Sequence, residues 1–198
     1  MIYSLSEIDA QCKKATRGAG FEWGHAEEAG KAARWLAKHE LPGAALLAAY
    51  LPQYANAPEH FQGMCPIAAG AAICDNGDAI VTQAVYFKQL AYPLLLLPYV
   101  AMLARERSLN LVISWDGERI VCNSTGICIL EQSEPSTDAA TDVCCEVSGN
   151  KQQVRQGQMA KRTGQFIHES DWQVLAELAH HTYVPATEAS RLGAGPAD

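Results

Sequence analysis

A chain of 198 residues, 48% of them hydrophobic and 19% charged, has the composition of a folded globular protein and can bury a substantial core, which excludes a disordered polypeptide. The net charge of −7, with basic residues scattered in small groups (Lys13, Lys14 and Arg17; Lys161 and Arg162), argues against nucleic acid as a partner, because phosphate neutralisation supplies most of that affinity. One domain over residues 1–198 is expected.

The chain opens on a capping box. Ser4 and Glu7 stand in S-x-x-E spacing, and Leu5, Ile8, Cys12, Ala15 and Ala19 then recur at three and four residues, one face of a helix. Nothing in "IYSLSEIDAQ" has the basic start, apolar core and cleavage site of a targeting segment. "RGAG" at 17–20 supplies a glycine stop. A second helix is expected from about His25 to His39, with Ala26, Ala29, Ala33 and Leu36 facing inward and Glu27 and Lys31 as an i,i+4 ion pair. "ELPG" at 40–43 breaks it, and "AALLAAYL" makes a third helix. Alanine and glycine on these faces allow close packing, so the N-terminal third should be helical.

From Met64 the texture changes. "IAAGAAICDNGDAIVTQAVYF" reads as two strands around an Asn76-Gly77 turn. Residues 93–107 read as a helix. They overlap the most apolar run, "LAYPLLLLPYVAMLA" at 90–104, which is short for a membrane span and interrupted by Pro93 and Pro98. No membrane partner is expected, and the location should be cytoplasmic. "LNLVISWDGERIVCNSTGICILEQ" reads as three strands, turning at Asp116-Gly117 and at Ser124–Gly126. A polar loop (133–142), a strand at "VCCEVSG", a polar stretch (150–165) and a last helix around Trp172, Leu175 and Leu178 complete the chain. Ser170 and Gln173 propose a capping box for that helix, and Pro185 its end. Strands in the middle and helices at the ends, without βα alternation, give an α+β fold: helical N-terminal third, central mostly antiparallel strands with one helix, C-terminal helix and tail.

Seven cysteines without a secretion signal read as free thiols in a reducing compartment. Cys122 and Cys128 are too far apart for a zinc pair, and Cys144 and Cys145 would point to opposite faces of a strand. No metal is expected, and no cofactor is specified by the sequence.

Three constellations could carry chemistry. The first is "RGAGFEWGHAEEAGKAARW". Helix N-terminal amides favour anions there, Arg17 adds charge, Trp23 offers a surface, and His25 is the acid/base candidate. Gly18, Gly20 and Gly24 follow a helix and not a strand, so the dinucleotide fingerprint fails. The structural alternative is a helix–helix corner with Trp23 in the core. The second is Cys65 in "FQGMCPIAAG", with His60 nearby, for which a buried thiol is the stronger reading. The third is the tail. Adjacent His180 and His181 diverge by roughly 100° on a helix and suit one metal poorly. Glu188, Ser190 and Arg191 would supply a hydroxyl and a clamp for an anion.

The segments "YSLSEIDAQCKKATRGAGFEWGHAEEAGKAARWL" and "DWQVLAELAHHTYVPATEASRLGAG" together resemble a bacterial, chiefly alphaproteobacterial, family of unknown function, about this long and matched over essentially the whole chain. The resemblance implies no reaction and transfers no catalytic residue. "GAGFEWGHAEEAGKAARWL" is also similar to the N-terminal helices of type-2 malate/lactate dehydrogenases, but the "SHG"-like stretch expected next is absent. The reading from residues is an enzyme or binding protein for a small anionic metabolite, with its site between the 17–28 bend and the tail: His25 and Ser190 as catalytic candidates, Arg17, Trp23, Glu188 and Arg191 as ligand-binding ones. The alternative is a non-catalytic interaction protein or homo-oligomeric scaffold, using the apolar 90–104 run and the alanine-rich helices.

Overall fold

The computed structural model describes residues 1–56, 63–125, 128–130, 140–148 and 162–183. A short strand β1 (Ile2–Ser4) leads into helix α1 (Leu5–Gly18). The capping box forms in both directions: the Ser4 hydroxyl accepts from the Glu7 N–H at 3.2 Å, and the Ser4 N–H donates to the Glu7 carboxylate at 2.8 Å. Helix α2 (Trp23–Lys38) and helix α3 (Gly43–Asn56) follow. Gly20, at φ 104°, makes the corner between α1 and α2.

The expected inner faces are largely buried: Ile8, Cys12 and Ala15 on α1 and Ala19 at its C-cap, with Leu5 half-buried, and Ala26, Ala29, Ala33 and Leu36 on α2. Lys31 pairs at 2.7 Å with Glu28, three residues away, and not with Glu27 as the spacing suggested. Both spacings bring side chains together on a helix, and here the shorter one is taken.

The two strands expected around Asn76-Gly77 are replaced by helix α4 (Pro66–Asp75) and the single turn α5 (Ala79–Thr82). Three local features explain the correction. Pro66 sits at the first helical position, where a missing N–H costs nothing. The buried residues Pro66, Ala69, Gly70 and Ile73 follow the helical period. Asn76 keeps a negative φ of −105°, incompatible with the tight hairpin turn, and ends the helix by donating its N–H and its side-chain amide to the Ala72 carbonyl.

Strand β2 (Val85–Ala91) then starts the main sheet. After it, a 3-10 turn (Pro93–Leu96) opens helix α6 (Leu97–Glu106), almost wholly buried. Strands β3 (Leu111–Trp115), β4 (Glu118–Cys122), β5 (Cys128–Leu130) and β6 (Ala140–Val147) complete the sheet. It is antiparallel in the order β2-β6-β3-β4-β5. Asp116 (φ 42°) and Gly117 (φ 82°) form the expected β3–β4 turn, with both residues left-handed. Ala140–Asp142, read as loop from sequence, belong to β6.

Strand β7 (Gly164–Phe166) pairs antiparallel with β1, Ile2 opposite Phe166, and leads to helix α7 (Glu169–His180). Gly164 and Gln165, read as the end of a polar stretch, are thus strand. The Ser170–Gln173 capping box does not form: the N-cap is His168, and no side chain caps it. Helix α7 crosses α1 so closely that a Cβ on Gly18 would lie 1.8 Å from the Leu178 carbonyl oxygen. The fold is α+β as expected. Most of the buried apolar residues among those described form one cluster, running from Ile8 and Leu36 through Leu51 and Leu97 to Ile113 and Leu175. Among the described residues, no helix is long and apolar enough to cross a membrane.

Candidate functional site

Helix α2 has two working faces. Its alanine face packs on α1. Its other face carries Glu28, Lys31, Trp35 and Lys38, spaced by three, four and three residues, and borders a cleft of about 310 Å³ whose far wall is α6. That volume is at the lower end of the range for small-molecule sites (roughly 300–1,000 Å³). It suits a molecule of one or two rings, not a dinucleotide.

The cleft has an unusual charge balance for an acidic protein. Lys31, Lys38 and Arg105 line it against one carboxylate, Glu28. Glu28 is taken by Lys31, whose pKa this hydrogen bond raises. Among the described residues, Lys38 and Arg105 have no carboxylate partner. Each stands in the last turn of its helix, where a cation also offsets the helix dipole. That role explains each one singly, but not their convergence on one cavity.

Between the charged groups the lining is mixed: Ala32, Trp35, Pro98, Ala101 and Met102 are apolar, and His39 and Thr125 add polar groups. The Trp35 and His39 rings stack at 3.8 Å, and His39 Nδ1 lies 2.7 Å from the Trp35 carbonyl oxygen. Burial pushes the His39 pKa below its ordinary value, more than the Trp35 carbonyl restores. Its ring is therefore neutral at neutral pH, with the Nδ1 proton donated to Trp35.

Tyr99 lines the α6 side of the cleft. It is 3% exposed, and its buried hydroxyl has no hydrogen-bond partner among the described residues. Burial first, then the nearby Glu28 carboxylate, drive its pKa upward, so the hydroxyl stays protonated. The ring lies on Gly70 of α4, where a Cβ would approach ring carbons to 2.4 Å. A buried hydroxyl without a partner costs about 1–3 kcal/mol.

The residues singled out from sequence lie elsewhere. At the α1–α2 corner, Arg17 donates to the Phe21 carbonyl at 2.8 Å and lies over the Trp23 ring at 5.6 Å. Arg17 thus ties down the corner. Trp23 is 52% exposed, so the corner does not bury it in the core as the structural alternative required. His25, in the first turn of α2, is half-buried. Glu188, Ser190, Arg191, His60 and Pro185 lie outside the described residues. The end of α7 does reach the corner: His181 Nδ1 is 3.3 Å from the Gly18 carbonyl oxygen, and Lys14 lies over the Tyr183 ring. His180 instead packs edge-on against Tyr183, so the two histidines diverge as expected. Among the described residues, no group of three potential ligands could hold a metal ion.

Most of the described thiols are occupied or suppressed. Cys65 caps α4, its sulfur accepting from the Ala68 N–H at 3.4 Å. Burial raises the pKa of Cys12, Cys74 and Cys145. A second concavity lies at the outer face of the sheet, where Tyr86, Cys144, Ser114 and Arg119 sit in one cross-strand row. Desolvation raises the Cys144 pKa too, which argues against a nucleophile there.

The cleft was missed by sequence reasoning, which treated Lys31 as a surface ion-pair partner and gave Trp35, Lys38 and Arg105 no role. The signal was present as a second stripe on α2: Glu28, Lys31, Trp35, Lys38. Nothing local says that α6, some sixty residues on, closes it into a cavity.

Residues 3–74 match the model of a family described as a protein of unknown function (DUF3726). The matched span contains the α2 wall of the cleft and ends before α6. It also ends before the second signature segment (171–195), so the likeness expected over the whole chain extends over its N-terminal part. No curated protein and no solved structure matches the chain.

Proposed function

We propose that this protein binds a small anionic metabolite in the α2–α6 cleft. The convergence of Lys38 and Arg105, both without a carboxylate partner among the described residues, on one cavity of mixed polar and apolar lining carries the reading. Apolar walls with convergent polar groups are the usual form of a small-molecule site. Lys38 and Arg105 supply the anion clamp.

Calorimetric titration at low salt with small carboxylates and phosphates tests this. Binding in the wild type should weaken about tenfold in each of Lys38→Ala and Arg105→Ala, since a charge-assisted hydrogen bond contributes roughly 1.5–3 kcal/mol. Both positions are exposed, so circular dichroism should show both variants folded. Binding that survives the double variant would remove the cleft from consideration.

A second reading keeps the ligand at the α1–α2 corner, with Arg17, Trp23 and His25 joined by Glu188, Ser190 and Arg191. The arrival of His181 at Gly18 favours it. The variant Arg191→Ala discriminates: it should lower affinity only if the tail contributes. The apolar 90–104 run expected to serve a scaffold role is taken up by the chain's own core, so that role would instead draw on Ile2 and Phe166, exposed opposite each other on β1 and β7, and light scattering would reveal the assembly.

A further inference from the structure

Resting on the cleft reading, we infer that the ligand is a small acid that also carries a hydrogen-bond donor, a hydroxyl or an ammonium group: its acidic group meets Lys38 and Arg105, and its donor is taken by His39 Nε2 or by the Thr125 hydroxyl oxygen. The inference comes from where the protons of the lining are already committed.

His39 settles its tautomer on its own helix. Its Nδ1 lies 2.7 Å from the Trp35 carbonyl oxygen. A carbonyl only accepts, so Nδ1 holds the proton and Nε2 keeps the lone pair. The Nδ1 edge of the ring is turned to the α2 backbone, and Nε2 is the ring nitrogen left for a ligand. Thr125 is committed in the same way. Its hydroxyl donates to the Asn123 side-chain oxygen at 2.6 Å, and its backbone N–H donates to the same atom at 3.0 Å. A backbone N–H only donates, so the atom it meets is the amide oxygen and the hydroxyl proton must point there too. The Thr125 oxygen is left with its lone pairs.

Both side chains line the cleft that Lys38 and Arg105 also line. Lysine and arginine only donate, whereas His39 and Thr125 as held here only accept. An acid with no donor of its own would meet the two cations and strip water from the two acceptors with nothing in return, which weakens binding. A donor on the same molecule answers both sets of groups. His39 is the C-cap residue of α2 and follows Lys38 directly, so one cation and one acceptor stand side by side, on the scale of a small molecule.

The test is calorimetry on the full chain at low salt and neutral pH. The probes are butyrate and its hydroxy, amino and methoxy derivatives, each substituted at carbon 2, 3 or 4. The methoxy group accepts but does not donate. At one position at least, the hydroxy or the amino acid should bind about three- to tenfold more tightly than butyrate, and the methoxy acid should not. Which of the two gains identifies the donor as hydroxyl or ammonium. The variant His39→Phe keeps a ring beside Trp35, whose carbonyl still accepts from the residue 39 backbone N–H at 3.2 Å, and Thr125→Val keeps the branched shape. At least one of them should shrink the ratio of substituted acid to butyrate, and the double variant should abolish it. A methoxy acid that matches the better donor-bearing acid, the lack of an advantage at every position, or a ratio that persists in the double variant overturns the inference. In each of these cases butyrate binding that is weakened by Lys38→Ala leaves the anion site standing. If no probe binds, the cleft reading falls and this inference with it.

Discussion

The substitution Gly70→Ala sets two known effects against each other at the base of the cleft. In the middle of helix α4, alanine for glycine gains about 1 kcal/mol of helix propensity. Against that, the new methyl would lie 2.4, 2.5 and 2.6 Å from three carbons of the Tyr99 ring. The gap must open by about 1 Å to reach the roughly 3.5 Å of ordinary carbon–carbon contact. One of the three atoms is Cγ, one bond from the Tyr99 Cβ, so the ring cannot simply swing its far end away. Tyr99 is 3% exposed, and either α4 or α6 must shift. Overpacking of this kind costs about 1–3 kcal/mol, and the severity of the contact points to the upper end. The net loss should be about 2 kcal/mol, measured as a lower urea midpoint at unchanged slope. Ligand affinity should fall with it, because Tyr99 lines the cleft and α6 carries Arg105. In the Tyr99→Leu background the ring is gone, the clash is relieved, and Gly70→Ala should become neutral or stabilising. A coupling energy of about 2 kcal/mol in this double-mutant cycle is expected. A Gly70→Ala protein as stable as wild type, or a cost that persists without the ring, would refute the packing argument.

Three further outcomes follow from the same structure. The variant Tyr99→Phe should match or exceed wild-type stability, by up to about 1 kcal/mol in a thermal or urea melt, because it deletes an unpartnered buried hydroxyl; a clear loss would mean that the hydroxyl has a partner in solution. Anion affinity should rise as pH falls below the ordinary imidazole value near 6.5, as His39 gains a proton beside Lys38 in the cleft that Lys31, Arg105 and Glu28 also line. Stability without ligand should run the other way: the folded-state pKa of His39 is depressed, so its contribution is full above the unfolded value and is lost as pH falls through the folded one; a pH-independent affinity, or His39→Gln keeping the pH dependence, would exclude the imidazole. At the α1–α7 crossing, Gly18→Ala puts a methyl 1.8 Å from a backbone oxygen, which no side-chain rotation relieves, and should cost at least about 3 kcal/mol in urea unfolding; a mild effect would show that the two helices are not in contact.

What the sequence determined by itself is whatever depends on neighbours within about one helical turn. The Ser4–Glu7 capping box, the alanine face of α2 and the Asp116-Gly117 turn each specify their geometry through local hydrogen bonds, periodicity or backbone dihedrals, and each forms as expected. The Asn76-Gly77 pair shows the limit of such signals. The same dipeptide serves as a hairpin turn or as a helix stop, and the periodicity of the preceding residues decides between them. Tertiary structure alone paired Ile2 with Phe166 and brought Leu178 onto Gly18. It alone placed Tyr99 and Arg105 opposite Lys38, because a cleft exists only where two faces distant in sequence approach and leave a space. Lys38 reads in sequence as a solvated helix-end cation. It becomes a candidate ligand group through the charge and the mixed wall that the fold sets around the same cavity.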